Sequence, residues 1–365
     1  MQLEAGKISG SELIFIVVAF IFGSSILLLP GLDAENMGWL AIICGLILGI
    51  GFASIYTTLA MRFPGKDFVE ISEAVFGRLI GKFIAFLFLG YLFHLGSLVV
   101  TDYHNFIKLI LLVETPSSVI VLFALLIISY GVWHGIEVLG RVAQGMVILT
   151  VGLTLLSFVL LTNKMDFNNF LPLFDLPLKQ FLWASYGTGT FPFGEVVAFL
   201  MIFAALDRPK QIRALVFKGM IYGWMFLFFA SIRTIAILGP TMEIFVYPVF
   251  QTSKLISIAD VFTRLEIITG IVFLMMGFLK IGILLYGAAI GTAQLFQLNS
   301  YRTLVLPLGL LMGLVALINF PNVIENIKHA NDIYPIYATV FILVIPSITL
   351  VVAIIRRLPK NERGN

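Results

Sequence analysis

Long apolar runs separated by short polar stretches set the pattern of this chain. Ten runs approach the roughly 20 residues that a membrane-spanning helix needs, at about 11–30, 39–61, 83–112, 119–134, 141–161, 181–206, 214–238, 266–298, 303–319 and 333–355. Strands of a membrane barrel alternate polar and apolar residues. These runs do not, so they predict an all-α bundle of ten spanning helices. The first run starts near Ser11. It is longer than a signal-peptide core and no small-residue cleavage site follows it, which predicts a retained first span.

Composition agrees. Of 365 residues, 60% are hydrophobic and 12% charged, against about 45–50% and about 25% in soluble domains. The net charge is +3, and no basic polar stretch suggests nucleic-acid binding. The single cysteine, Cys44, rules out an internal disulfide. With the N-terminus inside, fifteen Lys and Arg residues fall in inner segments and five in outer loops. This bias predicts that both termini are cytoplasmic. Two further stretches, 62–82 and 247–266, mix apolar and polar positions. The outer one is expected to be a short amphipathic helix packed on the outer face, and both are expected to be structural.

Two spans are interrupted. "FGSSILLLPG" (22–31) lies in the first and "GTGTFPFGE" (187–195) in the sixth. Glycine and proline weaken helices. Breaks at matching places in two halves point to a transporter-type binding site at the bilayer midplane. The halves would be 11–161 and 181–355, the second inserted upside down because each holds an odd number of spans. Unwound backbone in a membrane must face protein, water or ligand. Half-helix N-termini suit a carboxylate and C-terminal carbonyls suit an ammonium, so a zwitterionic amino acid fits. Close helix packing is the competing role of the small residues.

Ionisable residues inside spans mark candidate function. Glu195 follows the second break, where it could cap its half-helix or act on ligand. Lys280 lies mid-span in "MMGFLKIGILLYG". It could replace a coupling cation, gate on proton loss, or pair with Asp102 or Glu195. In the third span, His94 and Asp102 share a face. Asp102 with Lys108 reads as a solvated or paired helix end and His94 as a neutral core histidine. Arg233 could reach the interface or pair with Glu243 or Asp260. No nucleophile elbow, phosphate loop or zinc signature occurs, which predicts a non-enzyme without metal or cofactor.

"FGSSILLLP", "GEVVAFLMIF" (194–203), "YPVFQTSKLISIADVFTRLE" (247–266) and the closing "RRLPK" together resemble the B subunit of GerA-type spore germinant receptors. That family lies within the amino acid–polyamine–organocation superfamily, and the resemblance covers nearly the whole chain. It implies a LeuT-type five-plus-five inverted repeat. It also implies a nutrient sensor in the inner membrane of a dormant bacterial spore, binding a germinant that is commonly an amino acid. The implied partners are an A-type membrane subunit and a C-type lipoprotein, and the assembly would release ions. The implied pocket is lined by Gly23, Ser24 and Ser25, by Leu95, by Gly187, Thr188, Gly189, Thr190, Phe191 and Pro192, and by Lys280. Glu195 and Lys280 are the candidates for coupling or gating. Lysine at 280 departs from the small or hydroxylated residue that relatives often carry there. A proton-coupled amino acid transporter of the same superfamily would use the same pocket.

Overall fold

A backbone in lipid must satisfy its own hydrogen bonds, so the apolar runs have to become helices. A computed structural model describes residues 6–255 and 266–359 and shows each predicted run on helix. The first run opens with α1, Gly10–Phe22, whose start is fixed by a Ser9–Glu12 capping box. It breaks at Gly23 (φ −23°, ψ −106°) and resumes as α2, Ser25–Leu28, only four residues long. There follow α3 (Gly38–Arg62), α4 (Phe68–Phe76), α5 (Arg78–Phe106), α6 (Ser117–Trp133) and α7 (Ile136–Leu161).

The second half opens with α8, Leu178–Thr188. A wide turn over Gly189–Phe193 interrupts it, with Phe191 in extended backbone (φ −121°, ψ 116°). The chain resumes at Gly194–Met201 as a tight 3-10 helix rather than an α-helix. Then come α9 (Ile212–Leu238), α10 (Pro248–Ser253), α11 (Glu266–Leu295) and α12 (Arg302–Ile318). The last helical stretch starts at Val323, ten residues before the predicted run, and is divided into α13 (Val323–Lys328), α14 (Tyr334–Thr339) and α15 (Ile345–Ile355), joined by wide turns. Among the described residues six helical stretches are long and apolar enough to cross a membrane, and α1, α6 and α12 are apolar but shorter.

The broken first span sits at the centre. Leu13 and every residue from Ile16 to Phe22 are buried. It packs on α7, α9 and α11, while α11 also packs on α5. Gly219 and Gly223 of α9 allow the closest approach: a Cβ at Gly219 would meet Val17 at 2.7 Å, and one at Gly223 would meet Ile21 at 3.0 Å. This small-xxx-small spacing is the usual means of bringing membrane helices together. In contrast, Phe123 and Ile127 of α6 and Val159 of α7 are exposed, as a lipid-facing belt requires. A short parallel bridge joins Ile8 to Leu206, so the segment before α1 is tied to the end of the sixth run.

The two amphipathic stretches form helices, α4 and α10. The latter is buried in the bundle at Pro248, Val249, Phe250, Thr252 and Ser253, not laid on its surface. Residues 256–265 of that stretch lie outside the described residues. Asp67 caps α4, accepting from the Val69 and Glu70 amides. Its other oxygen accepts from Gln294 of α11. Burial pushes the Asp67 carboxyl up to about 7; Glu70 adds to the rise and the Gln294 amide opposes it.

The folded state therefore holds this proton more tightly than the unfolded chain does. The stabilisation is complete at acid pH and is lost as pH rises toward the folded value. Thermal unfolding in detergent is expected to show a midpoint that falls between about pH 4 and about pH 7 and levels off above. Asp67→Asn, which keeps the cap without the titration, is expected to flatten that slope.

Candidate functional site

The two breaks meet around one lysine. Lys280 comes from the middle of α11, and its stem lies against Gly23. A Cβ at position 23 would sit 2.6 Å from the lysine Cδ, so only glycine leaves room there. The ammonium donates to Glu195 Oε2 at 2.6 Å and to Ser24 Oγ at 3.3 Å. It also lies over the Phe191 ring at 4.9 Å and the Phe20 ring at 5.1 Å. Both charged side chains are almost fully shielded, at 0% and 1% exposure. The first break thus supplies Ser24, the second supplies Phe191 and Glu195, and α11 supplies the cation between them.

A buried pair is tolerated only when its remaining lone pairs are satisfied. The second oxygen of Glu195 accepts from the Tyr334 hydroxyl at 2.7 Å. Tyr334 in turn lies 2.9 Å from the Tyr91 hydroxyl of α5. The Tyr56 hydroxyl reaches the Ile342 carbonyl at 2.6 Å and the Gly194 carbonyl at 3.3 Å, which ties α3 and the last run to the second break. Glu195 makes no capping bond on its own helix. Of the pairings open to Lys280, the structure forms the one with Glu195.

Beside the pair lies a cavity of about 30 Å³, room for a water molecule or two. Ser24, Leu95, Asp102, Phe191, Glu195, Asn326, His329 and Tyr334 are among its walls. Asp102 is 8% exposed and accepts from the Asn326 amide at 2.7 Å. It is not a solvated helix end, and Lys108 turns instead to the Thr115 carbonyl at 3.0 Å. His94 is also engaged, 3.0 Å from the Tyr337 hydroxyl.

Of the residues expected to line the pocket, Ser24, Leu95 and Phe191 reach this cavity, while Gly23 and Lys280 lie against each other behind it and touch it only through Ser24 and Glu195. Others do different work. Gly189 lies against Leu48 of α3, and Thr188 fills the space at Gly45 while donating to the Ala184 carbonyl. The Gly187 carbonyl accepts from Thr190, which holds the turn, and Pro192 is buried within it. The Ser25 hydroxyl is buried with no partner among the described residues. Asp102, Asn326, Tyr334 and Tyr91 were not foreseen. Asp102 was within reach: it follows Leu95 by seven residues, two helical turns on one face.

Bundles with paired breaks of this kind define a class, and solved structures identify it. The chain is similar to Mhp1, a nucleobase-cation-symport-1 family transporter in a closed conformation with bromovinylhydantoin bound. Identity there is 13%, the TM-score is 0.69, and 92% of this chain and 78% of that one are covered. It is also similar to a Na+-coupled sialic acid symporter (12% identity, TM-score 0.66, 95% and 89% covered). MhsT in complex with L-phenylalanine gives 14% identity and a TM-score of 0.60, with 95% and 97% covered. The fold is the LeuT-type transporter fold, all-α and multi-pass in the membrane.

The sequence narrows the class. The pattern of the family described as "Spore germination protein" matches residues 7–324, and the chain belongs to that family. Spore germination protein KB of Bacillus subtilis (strain 168) is 24% identical over 357 residues, 96% of each chain. Spore germination protein YndE of the same organism is 23% identical over 349 residues, 93% of each. The family is permease-like and not a family of enzymes.

Removing one partner of a buried pair strands the other charge. Lys280→Met is therefore expected to destabilise the protein by about 3–5 kcal/mol. The double variant Lys280→Met/Glu195→Gln is expected to recover most of that loss. Thermal melting of the three proteins in one detergent measures the cycle.

Proposed function

We propose that this chain is the germinant-binding membrane subunit of a spore nutrient receptor, working with an A-type membrane subunit and a C-type lipoprotein in the spore inner membrane. One observation carries this: both helix breaks converge on the buried Lys280–Glu195 pair, and the cavity beside it is walled by residues of both. In this reading ten spans form two inverted halves, 11–161 and 181–355, with both termini cytoplasmic. A small nutrient, an amino acid by the fit of its charges to the helix ends, enters between the breaks.

The mechanism follows from the pair. A ligand carboxylate competes with Glu195 for Lys280 and the free amides after Ser24. A ligand ammonium competes with Lys280 for Glu195 and the carbonyls ending α1. Either contact loosens the tie between α11 and the second break, and Tyr334 and Tyr91 pass the change to the last run and α5. The ligand can shift the protein only by the difference in its affinity for the two arrangements. Membership of the spore germination family supports a sensing role. The likeness to symporters supports a second reading, proton-coupled amino acid transport through the same site.

Proteoliposomes separate the two. Labelled amino acids are expected to bind saturably without uptake when a proton gradient is imposed. Gradient-driven, saturable uptake would overturn the sensor. Glu195→Gln, which keeps a Tyr334 contact but leaves the Lys280 ammonium unpaired, is expected to melt below the wild type by about as much as Lys280→Met and, in the protein that stays folded, to lose ligand response.

A further inference from the structure

A second charge in the bundle has no counter-ion among the described residues. Arg233 of α9 is 3% exposed. Its Nη1 donates to the Ser157 hydroxyl of α7 at 2.6 Å, and its Nε is buried with no partner. It does not pair with Glu243, and Asp260 lies outside the described residues. No carboxylate stands within ion-pairing distance of it among the described residues. A guanidinium stays charged at any working pH. Burying it on one neutral hydroxyl is costly unless an anion comes from outside the chain.

The surroundings say where that anion enters. Arg233 closes one end of an apolar groove of about 700 Å³ between α1, α7 and α9. Leu155, Met225 and Phe229 line this groove and are also exposed at 58%, 41% and 43%, so it opens on the bilayer-facing flank. From Tyr222 to Arg233 its α9 wall runs about 16 Å, and Arg233 lies about 7 Å short of the end of α9, near the headgroup boundary. Behind Arg233 a small void touches Ile26 of α2.

We propose that this groove is a binding site for one anionic phospholipid of the surrounding membrane. Its phosphate sits on Arg233 and one acyl chain lies in the groove against Phe15 and Val18 of α1. Arginine pairs phosphate with two parallel hydrogen bonds, which suits a guanidinium with donors to spare. The chain lies in the gap that α1 leaves between α7 and α9. The lipid is thus a ligand of the broken first span, separate from the nutrient site.

The test uses the full chain in nanodiscs of phosphatidylcholine with and without phosphatidylglycerol, with retained lipid counted by native mass spectrometry. The wild type is expected to keep a single phosphatidylglycerol in preference to phosphatidylcholine by about tenfold or more. Arg233→Gln is expected to lose that preference. Leu155→Trp, at an exposed position tolerant of bulk, is expected to lose it by filling the groove with the guanidinium intact. Equal retention of both lipids by the wild type, or a preference that survives Leu155→Trp, overturns the proposal. So does displacement of the phospholipid by oleate, which assigns the groove to a free fatty acid.

Discussion

A charge buried in a membrane must find an opposite charge, and in this protein that requirement organises the centre of the fold. Among the described residues the Lys280 ammonium pairs with one carboxylate, Glu195, and both are sealed from solvent. Gly23 is needed so that the lysine stem can pass the first break. The second break is needed so that Glu195 can face the bundle axis. Tyr334 then completes the carboxylate, and Tyr91 completes Tyr334. Five of the predicted spans are joined through two charges and two phenols.

This arrangement makes the site sensitive rather than merely stable. Beyond each other, the two charges have weaker partners among the described residues: Lys280 has Ser24 and two aromatic faces, and Glu195 has one hydroxyl. A zwitterion brings both signs and can substitute for either half without leaving a bare charge. A neutral ligand cannot. The same low dielectric that makes the pair strong makes its exchange selective. The cavity of about 30 Å³ is too small for an amino acid, so in the proposed reading a ligand enters only as the breaks separate. That couples occupancy to movement of α11 and the last run.

Much of this was legible in the sequence because it depends on local pattern. Apolar runs became helices, the cluster at Gly23–Ser25 became one break, and of the cluster at Gly187–Pro192 the part from Gly189 on became the other, Gly187 and Thr188 staying in α8. The residue resemblance placed the chain in its family. What escaped depends on rotation and depth, which hydropathy does not encode. Asp102 carries the same charge whether it faces water or a cavity, and only its spacing from Leu95 told the difference. Tyr334 and Asn326 sit in a run whose own wide turns re-aim the side chains. Thr188 and Gly189 belong to the break by sequence yet pack on α3, because the turn rotates their face away from Phe191. For Arg233 the sequence left the interface, Glu243 and Asp260 open, and among the described residues its hydrogen-bond partner is Ser157.

The central claim is that nutrient acts on the Lys280–Glu195 pair. The most direct measurement is the magnetic resonance of the Lys280 ammonium in protein carrying isotope-labelled lysine, assigned by its loss in Lys280→Met. The account predicts a shielded, slowly exchanging signal without ligand that moves on titration with the L-amino acid that binds. A signal that stays in place at saturation, with binding recorded in the same sample, would contradict it.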